Sequence, residues 1–183
     1  MLTIVGISGS TRRGSFNSAL LRALASAAPQ DAQVQIESIA AIPLYDGDVE
    51  ASQGLPQAVV ELKEKVAACD GLLLVTPEYN NSIPGVAKNA IDWCTRAPKD
   101  VPRVFGGKPV AIAGASPGGF GTVLSQNAWL PVFRTIGADL YPGKLLVSRA
   151  GSVFNGNGDI TDAAVKENVA KFMTGFLAYV RGG

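Results

Sequence analysis

A chain of 183 residues that is 47% hydrophobic and 17% charged has the apolar material for one full core and is globular rather than disordered. Its net charge of +1 gives no reason to expect nucleic acid or an anionic membrane as partner, and no apolar run approaches the roughly 18 residues of a membrane span. There is no histidine, which excludes a Ser-His-Asp triad, a His-activated cysteine and the usual zinc sites.

The elements follow in chain order. Leu2-Thr3-Ile4-Val5-Gly6-Ile7 is a short apolar run that reads as a buried strand. No basic region or cleavage site stands before it, so no secretory signal is expected. Gly9 to Asn17 then forms a loop rich in Gly, Ser and Arg. Leu20, Leu21, Leu24, Ala25 and Ala28 follow at helical spacing, with Ser15 or Asn17 as N-cap. Val34 to Ile39 alternates apolar and polar, as an outer strand with one wet face would. Tyr45 to Gly54 reads as a Gly- and Asp-bearing loop. Val59, Leu62, Val66 and Cys69 recur at helical spacing after Pro56.

Gly71 to Thr76 is a continuous apolar run, hence a strand covered on both faces. Pro84 opens a helix through Val86, Ala87, Ala90, Ile91 and Cys94. Pro109 to Gly114 is a fourth strand. A helix from near Thr122 to Ile136 contains Pro131, which kinks it or marks a boundary. Leu145-Leu146-Val147 is the core of a fifth strand. Val165, Val169, Phe172, Phe176 and Val180 form the stripe of a closing helix, capped by Thr161 or Asp162. Cys69 and Cys94 lie in apolar helical stretches and read as buried free thiols, which fits a reducing cytoplasm.

Strands alternating with helices make a doubly wound α/β fold, a five-stranded parallel sheet with helices on both faces. Right-handed crossovers and the half-wet second strand favour the order 2-1-3-4-5, in one domain spanning 1–183. Ligands of such sheets sit beyond the carboxyl ends of the strands, at the switch point. Three loops should meet there: residues 9–17, 77–83 and 115–121.

The first loop suits a phosphate. Unpaired N–H groups and the helix dipole favour an anion, Ser10, Thr11 and Ser15 add hydroxyl donors, and Arg12 or Arg13 adds a charged fork. The same residues would also make a plain loop with a capped helix. Gly9 and Gly14 begin G-x-x-x-x-G-K-[ST], but Ser15 replaces its Lys, and G-x-G-x-x-G is absent from this turn. One terminal phosphate therefore fits better than a triphosphate or pyrophosphate. The second loop, Pro77-Glu78-Tyr79-Asn80-Asn81-Ser82-Ile83-Pro84, offers a stiff rim with stacking and hydrogen-bonding groups for a flat ring, or simply a turn that ends a strand. The third, Ala115 to Gly121, lets backbone approach a ligand closely, or serves as a flexible connection.

Gly9-Ser10-x-Arg12-x-x-Ser15-x-Asn17, followed by Thr76-Pro77-Glu78-Tyr79-Asn80-x-Ser82-Ile83-Pro84-Gly85-x-x-Lys88-Asn89-Ala90-Ile91-Asp92-Trp93, resembles the NADPH-dependent FMN reductase family, which includes bacterial quinone and chromate reductases of flavodoxin-like fold. The resemblance covers nearly the whole chain. It implies bound FMN, NADPH or NADH as hydride donor, and a quinone-like small molecule as acceptor in a ping-pong cycle. It assigns the phosphate to Ser10, Arg12, Ser15 and Asn17, the isoalloxazine border to Pro77, Glu78, Tyr79 and Asn80, and closure of the site to the stretch from Ser116 through Gly118 to Gly121, with Phe16, Ser18 and Ser82 as further cofactor-binding residues. It also implies a homodimer, with a homotetramer as the larger assembly.

The apolar residues Val86, Ile91 and Trp93 make the helix from Pro84 to Arg96 the candidate subunit contact. Many members carry a Tyr where this chain has Asn81 and an Arg where it has Leu124. Those changes bear on subunit contacts rather than on FMN. The competing reading is a flavodoxin-like electron carrier, but such carriers are usually strongly acidic, and a net charge of +1 argues against it. A phosphate-binding hydrolase or transferase without flavin is the third.

Overall fold

The computed structural model describes residues 1–182. Its centre is a parallel sheet of β1 (Leu2–Ser8), β2 (Ala32–Glu37), β3 (Gly71–Val75), β4 (Pro109–Ala115), β5 (Asp139–Leu140) and β6 (Leu145–Val147). The order is β2-β1-β3-β4-β5, with β6 also on β4. This is the flavodoxin-like arrangement expected from the alternating pattern. The fifth position differs in one respect: two short segments share it. Asp139 and Leu140 pair with Pro109 and Val110, and Leu145 to Val147 pair with Ala113 to Ala115. Between them Tyr141 still donates its N–H to the Val110 carbonyl at 2.9 Å, but Pro142 has no N–H to give, and the ladder breaks.

Burial follows the strand patterns. Every residue of β3 is buried, while β2, at the edge of the sheet, buries only Ala32 and leaves Gln33 and Ile36 exposed. One face of the sheet packs Leu20 and Leu24 of α1 (Phe16–Ser26) together with Val169, Phe172 and Phe176 of α8 (Ala163–Val180). The other face holds Val66 of α3 (Gln57–Ala68), Ile91 of α4 (Gly85–Cys94), Phe105 of α5 (Val101–Phe105), and Trp129 and Phe133 of α6 (Val123–Thr135). Asp162 caps α8, accepting from the Val165 N–H. Pro131 lies inside α6 rather than at its end. Cys69 and Cys94 are buried and free. Among the described residues, no helix is long and apolar enough to cross a membrane.

Two expectations need correction. The stretch from Tyr45 to Gly54 is not all loop, because α2 (Gly47–Gln53) occupies its middle. Asp46 caps that helix through the N–H groups of Asp48 and Val49, and Asp48 and Glu50 sit favourably in its first turn. None of its residues is buried, so it shows no apolar periodicity. The second correction concerns α4. Ile91 and Trp93 do not form an outward apolar face; both are buried within the chain, and only Val86 of the three is exposed. The strap Pro43–Tyr45 covers this helix. Trp93 Nε1 and Asn89 Nδ2 both donate to the Pro43 carbonyl, at 2.9 and 2.8 Å, and the Tyr45 ring meets Trp93 edge-on with centroids 4.8 Å apart. Lys88 and Asp92 form an i,i+4 ion pair of 2.7 Å on the same helix.

Candidate flavin site

All three loops come together at the carboxyl ends of β1, β3 and β4. They enclose a cleft of about 200 Å³ lined by Ser10, Arg12, Ser15, Phe16, Asn17, Pro77, Glu78, Tyr79, Ala115, Ser116 and Pro117.

The first loop leaves β1 when Gly9 donates its N–H to the Val75 carbonyl. A Cβ on Gly9 would lie 3.0 Å from Pro77 and 3.3 Å from Ala87 and Pro84, so glycine lets the first and second loops touch. Gly14 turns the chain with a φ of 67°. Ser15 is the N-cap of α1, its hydroxyl accepting from the N–H groups of Asn17 and Ser18. Ser8 Oγ sits 2.9 Å from Ser18 Oγ and accepts the Ser10 N–H, bracing the loop from beneath. The N–H groups of Thr11, Arg13, Gly14, Ser15 and Phe16 donate to no protein atom among the described residues. Arg12 is exposed beside them and has no carboxylate partner among the described residues; one of its nitrogens reaches the Arg13 carbonyl at 3.3 Å. An anion at this helix start would meet several free donors and a guanidinium, which is what a terminal phosphate requires.

Asn17 has a different place from its neighbours. Its side chain is buried, its Nδ2 donates to the Ala115 carbonyl, and its Oδ1 accepts the Ala115 N–H, both at 2.9 Å. Both ends of the amide are therefore spent on tying the start of α1 to the end of β4.

The second loop is a tight hairpin. Tyr79 and Ser82 exchange both backbone hydrogen bonds, at 3.1 and 3.0 Å, across Asn80 and Asn81. These two asparagines have φ values of 49° and 61°. That is the geometry of a type I′ turn, and Asn tolerates the left-handed region better than a bulky side chain would. The Tyr79 ring is 52% exposed at the cleft. Glu78 points back from this loop to α6, where one carboxylate oxygen accepts the N–H groups of Leu124 and Ser125 at 2.9 and 3.1 Å. It is an N-terminal cap supplied from far along the chain. Below it, the buried Thr76 hydroxyl joins the Pro77 carbonyl, Ser125 Oγ and Trp129 Nε1 within 3.1 Å.

The third loop is anchored at both ends. Ser116 donates its N–H to Val147 and its hydroxyl to the Gly121 carbonyl, while the Gly118 carbonyl accepts the Arg149 N–H. Gly121 has a φ of 61° and its Cα lies against Leu146, where a Cβ would be 3.0 Å away. Phe120, at its tip, is 82% exposed. The N–H groups of Glu78, Asn80, Gly118 and Gly119 donate to no protein atom among the described residues. They are available to the polar edge of a ring, as the free donors of the first loop are to a phosphate. The residues present thus fit FMN: one anion cradle, one planar rim, and backbone donors between them.

Residues 2–151 match the model of the NADPH-dependent FMN reductases. The chain belongs to that family. It is 38% identical over 183 residues to an NAD(P)H-dependent FMN reductase of Pseudomonas aeruginosa, covering 98% of this chain and 96% of the relative. It is also 38% identical over 186 residues to a 2-hydroxy-1,4-benzoquinone reductase of a Burkholderia species, covering 98% and 97%. Among solved structures, a flavoenzyme NAD(P)H:(acceptor) oxidoreductase from Paracoccus denitrificans superposes with a TM-score of 0.86 at 29% identity, over 100% of this chain and 98% of that one. The protein is an FMN-linked, NAD(P)H-dependent oxidoreductase. Sequence reasoning placed the three loops but missed the roles of Asn17 and Glu78 as ties between elements. No local signal marks either, since their partners lie 98 and 46 or more residues away.

Proposed function

We propose that the chain reduces quinones, and that the observation carrying this reading is the set of free N–H donors and Arg12 sharing one cleft with the Pro77–Tyr79 rim. Ser10, Arg12, Ser15 and the N–H groups of the first loop hold the phosphate, with Phe16 and Ser18 shaping the cradle and Asn17 clamping it to β4. Pro77, Glu78, Tyr79, Asn80 and Ser82 border the ring, and Ser116, Gly118 and Gly121 close the other side. When bound, FMN supplies the two-electron chemistry, taking hydride from NADPH or NADH and handing electrons to an acceptor. The chain's own work is to bind, orient and expose one face. Its one carboxylate at the cleft, Glu78, is already an acceptor for two backbone N–H groups, and no histidine is present. The quinone class is supported by the Burkholderia relative's name, and by the absence of the strong acidity that an electron carrier uses to dock basic partners.

Donor and acceptor share one open face, so steady-state kinetics are ping-pong. The working unit is a homodimer, supported by the exposed apolar side chains of Tyr79, Val86, Phe120 and Leu124, which lie on the second and third loops or on the helices that follow them. A homotetramer would have to pack without the Tyr and Arg that Asn81 and Leu124 replace. One continuous sheet supports a single domain over 1–183, and the two free thiols support a cytoplasmic setting. Arg12→Ala tests the cradle. FMN affinity should fall by about 1.5–3 kcal/mol, the scale of a hydrogen bond to a charged group. An unchanged affinity would show that the phosphate lies elsewhere. Light scattering tests the dimer, and a monomer that turns over NADPH and quinone rules it out.

A further inference from the structure

The Arg13 side chain takes no part in the cradle just described, and although exposed it is not isolated on the surface. It lines a second groove, of about 360 Å³, at the carboxyl ends of β1 and β2. Ser10 and Arg12 border this groove and the flavin cleft alike, so the two adjoin across the first loop. The groove's apolar surface comes from the exposed Ile36 and Ala40, with the buried Leu21 and Ile39 beneath them. Ile36 is unusual among them, being 47% exposed although it is a strand residue with a large apolar side chain. The groove's polar groups include Arg12, Arg13 and the Ser38 hydroxyl; Arg22 also lines it, with one guanidinium nitrogen near Gly158. None of the three arginines is in an ion pair among the described residues. The single acid in the lining, Glu37, is held by Lys65 at 2.8 Å, so its charge is locally balanced. An apolar slot beside unpaired guanidiniums suits a flat base that carries a phosphate.

We propose that this groove receives the adenosine end of NADPH, with Arg13 on the 2′-phosphate as the residue that separates NADPH from NADH. The assignment rests on the reductase reading above and adds to it a nucleotide preference and its source. Adenine lies on Ile36 and Ala40, and Arg13 and the Ser38 hydroxyl meet the phosphate. The diphosphate crosses the outer side of the first loop toward the cleft, leaving Ser10 and Arg12 to the FMN phosphate. NADH leaves Arg13 without an anion, so it forfeits that contact alone.

The test uses the flavin-loaded enzyme and two variants. Arg13→Ala should lower kcat/KM for NADPH roughly tenfold and leave that for NADH within about twofold, the effect of removing one charge-assisted contact. Ser38→Glu should act more strongly in the same direction, because it sets a like charge against the phosphate. Calorimetry supplies a readout independent of turnover. 2′,5′-ADP should bind the parent enzyme more tightly than 5′-ADP, and Arg13→Ala should erase the difference. Equal losses for both nucleotides, or an unchanged ratio in both variants, would overturn the assignment. So would equal binding of the two ADP isomers to the parent enzyme. A flavin that neither nucleotide reduces would instead sink the reductase reading, and the two ADP isomers would still report on the groove.

Discussion

Replacing Asn17 by Ala removes the side chain that, among the described residues, ties the first loop to the end of β4. Asn17 is 4% exposed and its partner Ala115 2%. Truncation strands the N–H and C=O of Ala115, both of which lose a 2.9 Å partner. At about 1–3 kcal/mol for each orphaned group, less what an entering water restores, the loss is about 2–4 kcal/mol. A chain of this size loses about 2–4 °C of melting temperature per kcal/mol, which gives a fall of about 5–15 °C. Urea unfolding and thermal melts should be run on flavin-free and flavin-loaded protein. The loss must already be present without flavin, because both partners belong to the chain. Asn17→Asp should be no milder, since it sets a carboxylate oxygen against the Ala115 carbonyl. A melting temperature within about 2 °C of the parent, or a loss confined to the flavin-loaded form, would refute the clamp and make Asn17 a ligand of the phosphate.

Glu78→Ala should cost about 0.5–2 kcal/mol, the worth of a helix N-cap, while Glu78→Gln keeps an acceptor and recovers part of it. Equal stability of both variants with the parent would mean that α6 does not depend on this cap. Burial pushes the Cys94 thiol up to about 12 and raises Cys69 as well. A thiol reagent at about pH 8 should label neither cysteine in the native protein and both in denaturant; rapid native labelling would count against the packing of α3 and α4. The Arg96 hydrogen bond holds the Glu50 carboxyl below its ordinary value of 4.5, and Lys63 holds Asp100 below 3.8. Both carboxylates bind protons more weakly folded than unfolded. The stability they give is therefore present above those ordinary values and lost as pH falls through the lowered ones. Glu50→Gln should flatten the acid side of a melting-temperature profile, and an unaltered acid limb would dismiss this pair as a contributor.

The legible parts were those written in local pattern. Continuous apolar runs in β3 and β4, alternation in β2 and Gly-rich turns after the strands were enough to order the sheet and gather three loops at one edge. What escaped was set by distant partners. The helix Gly47–Gln53 buries nothing, so only its cap at Asp46 and the Gly54 that ends it announced it. Trp93 looked like surplus apolar surface because the strap that covers it begins 50 residues earlier, at Pro43, while Ile91 is buried against the sheet. Asn17 and Ser15 share one motif, but only the cap has a local signature. The clamp to Ala115 depends on a strand 98 residues away. Arg13 stands next to Arg12 in the sequence, but only the fold shows that it lines a groove with Ile36.

An anaerobic absorption titration tests the central claim most directly. The purified protein should be yellow and release FMN on denaturation. Stoichiometric NADPH should bleach the flavin band with no second protein present, and a stoichiometric quinone should then restore it. A colourless protein, or a bleach that only a separate reductase can bring about, would contradict a quinone reductase built on this cleft.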